Sequence, residues 1–127
     1  MRVLIADDSA LSRSILKNII SAVPNVEISE VSNGVQALEQ HRFFRPDVIL
    51  MDITMPQLDG VATLKIIKKI DKEVQVIIVS SIGRQKTYYT ECYNYGAFAV
   101  LSKPIEKELV LKTFYDATQG SPEGELQ

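Results

Sequence analysis

Short apolar runs alternate along this chain with stretches whose apolar positions recur three and four residues apart. Val3-Leu4-Ile5-Ala6, Val48-Ile49-Leu50-Met51, Val74-Gln75-Val76-Ile77-Ile78-Val79 and Phe98-Ala99-Val100-Leu101 have the length and branching of strands. Leu11, Ile15, Leu16, Ile19 and Ile20 form one helical stripe, and Val61, Leu64, Ile67 and Ile70 another. The first strand spans about Arg2 to Ala6; Ser9 can cap the helix that follows, and Pro24 helps to stop it. Val26 to Val31 alternates, as an edge strand with one wetter face does, and Ser32 starts a short helix through Gln40. A fourth helix is predicted from about Arg84 to Tyr95, and a fifth closes the chain after the last strand.

Strand alternating with helix argues for a parallel sheet. Runs that are apolar at nearly every position are buried on both faces, so helices must cover both sides. The predicted fold is therefore α/β, a doubly wound five-stranded parallel sheet with five helices, with 2-1-3-4-5 the preferred strand order. A change of winding direction beside the first strand opens a crevice at the strand carboxyl ends.

That edge collects reactive side chains. Asp7-Asp8 follow the first strand, Asp52 the third, Ser80-Ser81 the fourth and Lys103-Pro104 the fifth. An isolated Asp-Asp pair is ordinarily a helix cap, but the joint pattern is more specific than its parts. Carboxylates gathered there repel one another unless a cation neutralises them. A hard, oxygen-rich site with few protein ligands suits Mg²⁺, which keeps waters and shares its sphere with phosphate oxygens. Pro104 makes the preceding bond a candidate for the cis form, which would aim the Lys103 ammonium inward. The single His41 lies in a polar stretch and reads as a solvated helix-end residue without chemistry.

Composition narrows the function further. The chain has 127 residues and 46% hydrophobic content, which fits one domain with a real core. A net charge of −2 offers no electrostatic footprint for nucleic acid or a membrane surface. The lone Cys92 cannot form an intrachain disulfide, no apolar run approaches the roughly 20 residues that cross a bilayer, and no signal segment opens the chain. The expected location is the cytoplasm. Residues 1–119 read as the domain and 120–127 as a tail or the start of a linker.

Val3-Leu-Ile-Ala-Asp7-Asp8-Ser9, Asp47-Val-Ile-Leu-Met-Asp52-Ile-Thr-Met-Pro56 with Asp59-Gly60, Ser80, and Gly96-Ala97 leading to Lys103-Pro104 together resemble the receiver domain of two-component response regulators, of the single-domain chemotaxis type. The resemblance covers residues 1 to about 119 and implies a flavodoxin-like fold. It implies Asp52 as phosphoacceptor, Asp8 as a direct Mg²⁺ ligand, Asp7 as a ligand mainly through water and the Thr54 backbone carbonyl as a further ligand. Ser80 would bond the phosphoryl group and Lys103 would pair with a phosphate oxygen. The phosphodonor would be a histidine kinase or phosphotransfer protein, the output an unidentified protein or a phosphorylation-dependent homodimer. The chain would be either free-standing or the receiver part of a longer transcriptional or enzymatic regulator.

Three rival readings fare worse. A flavin or nucleotide module should place a glycine-rich loop after the first strand, where Asp7-Asp8 would instead repel phosphate. An acid-pocket phosphatase would have its two acids spaced two apart there, and a degenerate docking-only receiver would lack the intact acids and Lys103. One departure from the receiver pattern concerns output: Val100 stands where many receivers carry an aromatic switch residue. The helical phase of the fourth helix puts Tyr88, Cys92 and Tyr95 inward, and Tyr89 and Tyr93 on an outer face suited to recognition. Ile82, two positions past Ser80, is expected to shield the phosphoryl group from water, and Gly83 to let that loop move.

Overall fold

The computed structural model describes residues 1–81 and 86–119, so residues 82–85, Ile82, Gly83 and Arg84 among them, and residues 120–127 lie outside the described residues. The strands are β1 (Arg2–Ala6), β2 (Glu27–Val31), β3 (Val48–Met51), β4 (Gln75–Ser80) and β5 (Ala99–Ser102). They form one sheet in the order β2-β1-β3-β4-β5, with every neighbouring pair parallel. The helices are α1 (Ala10–Ser21), α2 (Gly34–Phe44), α3 (Gly60–Ile70), α4 (Lys86–Asn94) and α5 (Lys107–Thr118). This is the five-stranded, doubly wound fold that the apolar runs predict.

The two-residue period of the strands sorts their side chains into two cores. Val3, Ile5, Val48, Leu50, Ile77 and Val79 pack against α1 and α5 through Leu16, Ile20, Val110 and Phe114. Their alternates Leu4, Ala6, Ile49, Met51, Val76 and Ile78 pack on the other face with Leu64, Ile67 and Cys92. Because β3 is buried throughout, and β1 and β4 are buried beyond their first residues, their carboxyl ends are fixed on both sides.

Two local expectations are corrected. Asn33, not Ser32, caps α2: its side chain accepts from the Gln36 N–H at 2.8 Å, while the Ser32 N–H donates to Gln36 Oε1 at 3.0 Å. α2 also continues past Gln40 to Phe44, where Arg45 ends it in the left-handed region with φ 51°. The extra turn buries His41, which is 8% exposed and not solvated, and its Nε2 lies 2.9 Å from Asp71 Oδ2. Leu11, Ile15 and Ile70 lie in the helical stripes yet stay exposed, while Leu16, Ile19, Ile20, Leu64 and Ile67 carry the buried part of those stripes. Among the described residues no helix is long and apolar enough to cross a membrane.

Candidate functional site

Asp7 directly follows β1 and is almost wholly buried. Its backbone N–H donates to the Val31 carbonyl at 3.1 Å, continuing the pairing with β2 by one step. Its Oδ1 accepts from the Ser9 N–H at 2.9 Å, and Ser9 in turn caps α1 by accepting from Ser12. Its Oδ2 meets Lys103 Nζ at 3.0 Å. Burial nevertheless holds the Asp7 carboxyl above its ordinary range; the Ser9 and Lys103 bonds oppose that shift, and the Asp52 charge adds to it.

Asp52 follows β3 and is 6% exposed. Lys103 Nζ lies 3.2 Å from its Oδ2, so one ammonium bridges two carboxylates from neighbouring strands. The Thr54 N–H donates to Asp52 Oδ1 at 3.3 Å, which turns the chain sharply after the strand. Gly60 completes that turn: it opens α3 beneath the Asp59 cap, where a Cβ would collide with the Asp52 carbonyl oxygen. Lys103 itself is held above its ordinary pKa, because the Asp7 bond and the charges of Asp52 and Asp7 outweigh the opposing effect of burial.

Ligand oxygens of Asp7, Asp8 and Asp52 all lie within 4.8 Å of one another. At an effective dielectric constant of 20, two carboxylate charges at that separation repel by about 3 kcal/mol, and one ammonium leaves the cluster short of cation. Hard oxygen donors, a negative excess and an exposed Asp8 opening to solvent fit a divalent metal ion.

Ser80 sits at the carboxyl end of this same edge, but inside β4 and fully buried, not on the loop beyond it. Its carbonyl accepts from the Lys103 N–H at 3.1 Å, which ties the ends of β4 and β5 together. The Lys103–Pro104 peptide bond is cis. Asp7, Asp8, Asp52, Ser80, Thr54 and Lys103 thus share one edge, whereas Tyr89, Tyr93 and Val100 form a separate surface beside it. Tyr89 and Tyr93 are exposed, with ring centroids 4.9 Å apart, and the Tyr93 hydroxyl accepts from the Val100 N–H at 3.2 Å. Cys92 is buried, and burial pushes its thiol up to about 11. Tyr88, expected inward, instead lines an open cleft of about 440 Å³ between α3 and α4 with Ile53, Met55 and Tyr95.

Sequence reasoning missed Arg13. Its Nη1 donates to the Asp7 carbonyl at 2.7 Å, and no motif announces a contact between a helix side chain and the backbone of the preceding strand end.

The model of the response regulator receiver domain family matches residues 3–115. The chain belongs to this family. It is 37% identical over 111 residues to the chemotaxis protein CheY of Bacillus subtilis, covering 87% of this chain and 92% of that protein. It is also 37% identical over 110 residues to a protein-glutamate methylesterase/protein-glutamine glutaminase of Treponema denticola, covering 85% of this chain but only 30% of that longer protein. Among solved structures, the CheX-CheY-BeF3-Mg²⁺ complex from Borrelia burgdorferi superposes with a TM-score of 0.86 at 28% identity, over 93% of this chain and 89% of that one. Residues 3–115 thus form a receiver domain, of the kind that relays phosphoryl groups rather than catalysing a separate reaction, and carry the acidic cluster typical of phosphoacceptor sites.

Proposed function

We propose that the protein is a phosphorylation-dependent switch of a two-component pathway in which Asp52 is the phosphoacceptor. The observation that carries this reading is the placement of Asp52: a buried strand-end carboxylate with Lys103 on one oxygen and the Thr54 N–H on the other, facing the Asp7-Asp8 pair. An Asp52 oxygen attacks the phosphorus of a phosphohistidine, the P–N bond breaks, and the imidazole leaves with its electron pair. Lys103 turns from the carboxylates to a phosphoryl oxygen, and the Ser80 hydroxyl donates to another. Asp8, Asp7 through water, Asp52 and the Thr54 carbonyl would hold Mg²⁺, which when bound offsets negative charge on the phosphoryl oxygens. The Borrelia relative, a complex with both BeF3 and Mg²⁺, supports that assignment by likeness.

Residues 1–119 form the receiver under this reading, acting in the cytoplasm with a histidine kinase or phosphotransfer protein as donor. The output face is the Tyr89 and Tyr93 surface beside Val100. Setting is the point on which a second reading enters: a receiver can act alone, as in CheY, or within a longer regulator, and the methylesterase match over 30% of its length favours the longer arrangement. Acetyl phosphate with Mg²⁺ tests the core of the proposal. Mass spectrometry should find one phosphoryl group on Asp52 and none in Asp52→Asn; modification of another residue would refute the site.

A further inference from the structure

The turn that carries Asp7 and Asp8 is braced from behind. The Asp7 N–H is tied to Val31 at the end of β2, and the Asp7 carbonyl is gripped by Arg13 Nη1 from the first turns of α1 at 2.7 Å. On its other side the same guanidinium places Nε 3.5 Å from Glu30 Oε1, and Lys17 Nζ lies 3.3 Å from Glu30 Oε2. We propose that Arg13 is a positioning residue for the acidic cluster. By fixing the Asp7 carbonyl it sets the plane of the Asp7–Asp8 peptide, and with it the direction from which Asp8 meets Asp7 and Asp52.

The argument is geometric. A peptide unit is rigid, so holding its oxygen also fixes its N–H and the Cα that follows. Asp7 is clamped through both carboxylate oxygens and both backbone groups, whereas the Asp8 side chain is exposed and gains no direction from packing. Two rigid peptides flank Asp8: the Asp8–Ser9 unit is held by its N–H on Asp7 Oδ1, and the Asp7–Asp8 unit, which leads directly from the clamped residue to the exposed one, is the one that Arg13 holds. The short carbonyl contact outranks the longer Glu30 pair, and a partly exposed ion pair is worth at most about 1 kcal/mol. Glu30 pairs with the far side of the guanidinium and with Lys17, and makes no contact with the Asp7 carbonyl.

This inference rests on reading the cluster as a Mg²⁺ site, and its test separates the two. Mg²⁺ binding to the full chain is measured by titration calorimetry for wild type, Arg13→Ala, Arg13→Lys and Glu30→Gln, alongside thermal melts without metal and the Mg²⁺ dependence of phosphorylation by acetyl phosphate. Arg13→Ala should weaken Mg²⁺ binding by about tenfold or more, as loss of a group that orients a ligand does. It should raise the half-saturating Mg²⁺ concentration by the same factor and leave the rate at saturating Mg²⁺ unchanged. Arg13→Lys, which keeps one donor for the carbonyl, should recover part of that loss. Glu30→Gln, which breaks the ion pair but spares the carbonyl contact, should stay within about twofold of wild type. An Arg13→Ala protein that melts earlier yet binds Mg²⁺ as wild type does would show a structural role alone and overturn the proposal. So would Glu30→Gln matching the full loss. If wild type itself binds no Mg²⁺, the metal reading falls and this one with it.

Discussion

The two poles of the sheet hold the same residue types under opposite regimes. At the carboxyl edge Asp7 is held above its ordinary pKa chiefly by burial, while Lys103 is held above its own by the acids around it. At the opposite pole Asp71 ends α3 and lies below the carboxylate range: burial pushes it up, but the His41 bond and the N–H groups of Val74 and Glu73 outweigh that. Near it Lys68 lies below the lysine range, mainly through burial; its ammonium bonds the Lys72 and Val74 carbonyls at 3.0 and 2.7 Å. One pole leaves its acids short of cation, and the other supplies its acid with donors. For the acids, stability is spent at the first pole and secured at the second, as expected where a site is organised for an incoming charge.

The largest expected effect comes from the strained side. Asp7→Asn removes a carboxylate that its surroundings resist ionising, and relieves its repulsion with Asp52. Metal-free Asp7→Asn should melt above wild type, while Mg²⁺ affinity falls by roughly 10- to 100-fold. Calorimetric melts and Mg²⁺ titration of the same samples check both halves. A lower melting temperature would mean that the Asp7–Lys103 pair stabilises the fold, and the contrast between the poles would collapse.

Asp71→Asn should do the reverse. It weakens the charged bonds that join α2, the end of α3 and the start of β4, and should cost about 1–2 kcal/mol at neutral pH while leaving phosphorylation unchanged. The pH dependence follows from the direction of the shift. A carboxyl whose folded pKa is depressed contributes stability that is complete above its unfolded value, near 3.9, and is lost as pH falls through the lower folded value. Urea unfolding at pH 7 and again near pH 3 should therefore show the gap between wild type and Asp71→Asn closing in acid. A gap that persists there would assign the effect to shape and not to charge.

How much of this was legible in the chain depends on sequence distance. Both cores follow from runs such as Val3 to Ala6, whose alternate residues feed opposite faces; the strand order was a preference among doubly wound orders, which the apolar runs alone do not choose. The acidic cluster was legible because strand ends in a parallel sheet must share an edge, which brings Asp7, Asp52 and Lys103 together without any knowledge of side-chain contacts. The His41–Asp71 pair joins residues 30 apart at helix ends whose lengths were not fixed, and the His-Arg-Phe-Phe sequence concealed an extra helical turn. Ser32 and Asn33 are both able to cap, so periodicity could not choose between them; Gln36 decides by bonding Ser32 while its N–H goes to Asn33. Ser80 was read as a loop residue because an apolar run does not announce that its polar terminus is still paired in the sheet.

The smallest effect reads the same contrast through its lysines. With ¹³C-methyl groups placed on the amines, Lys68 should titrate below the ordinary lysine value of about 10.4 and Lys103 above it. A base whose folded pKa is raised contributes stability that is complete below its unfolded value and lost as pH rises through the folded one, so the Lys103 contribution fades only at the alkaline end. Lys68 runs the other way, since its depressed pKa means that the fold disfavours its charge. Added Mg²⁺ should lower the Lys103 value, because a second cation beside Asp7 and Asp52 weakens their hold on the ammonium. It should leave Lys68 unmoved at the far pole. Equal titration of the two lysines, or a Lys103 indifferent to Mg²⁺, would mean that the carboxyl edge is not the cation-poor site its three carboxylates describe.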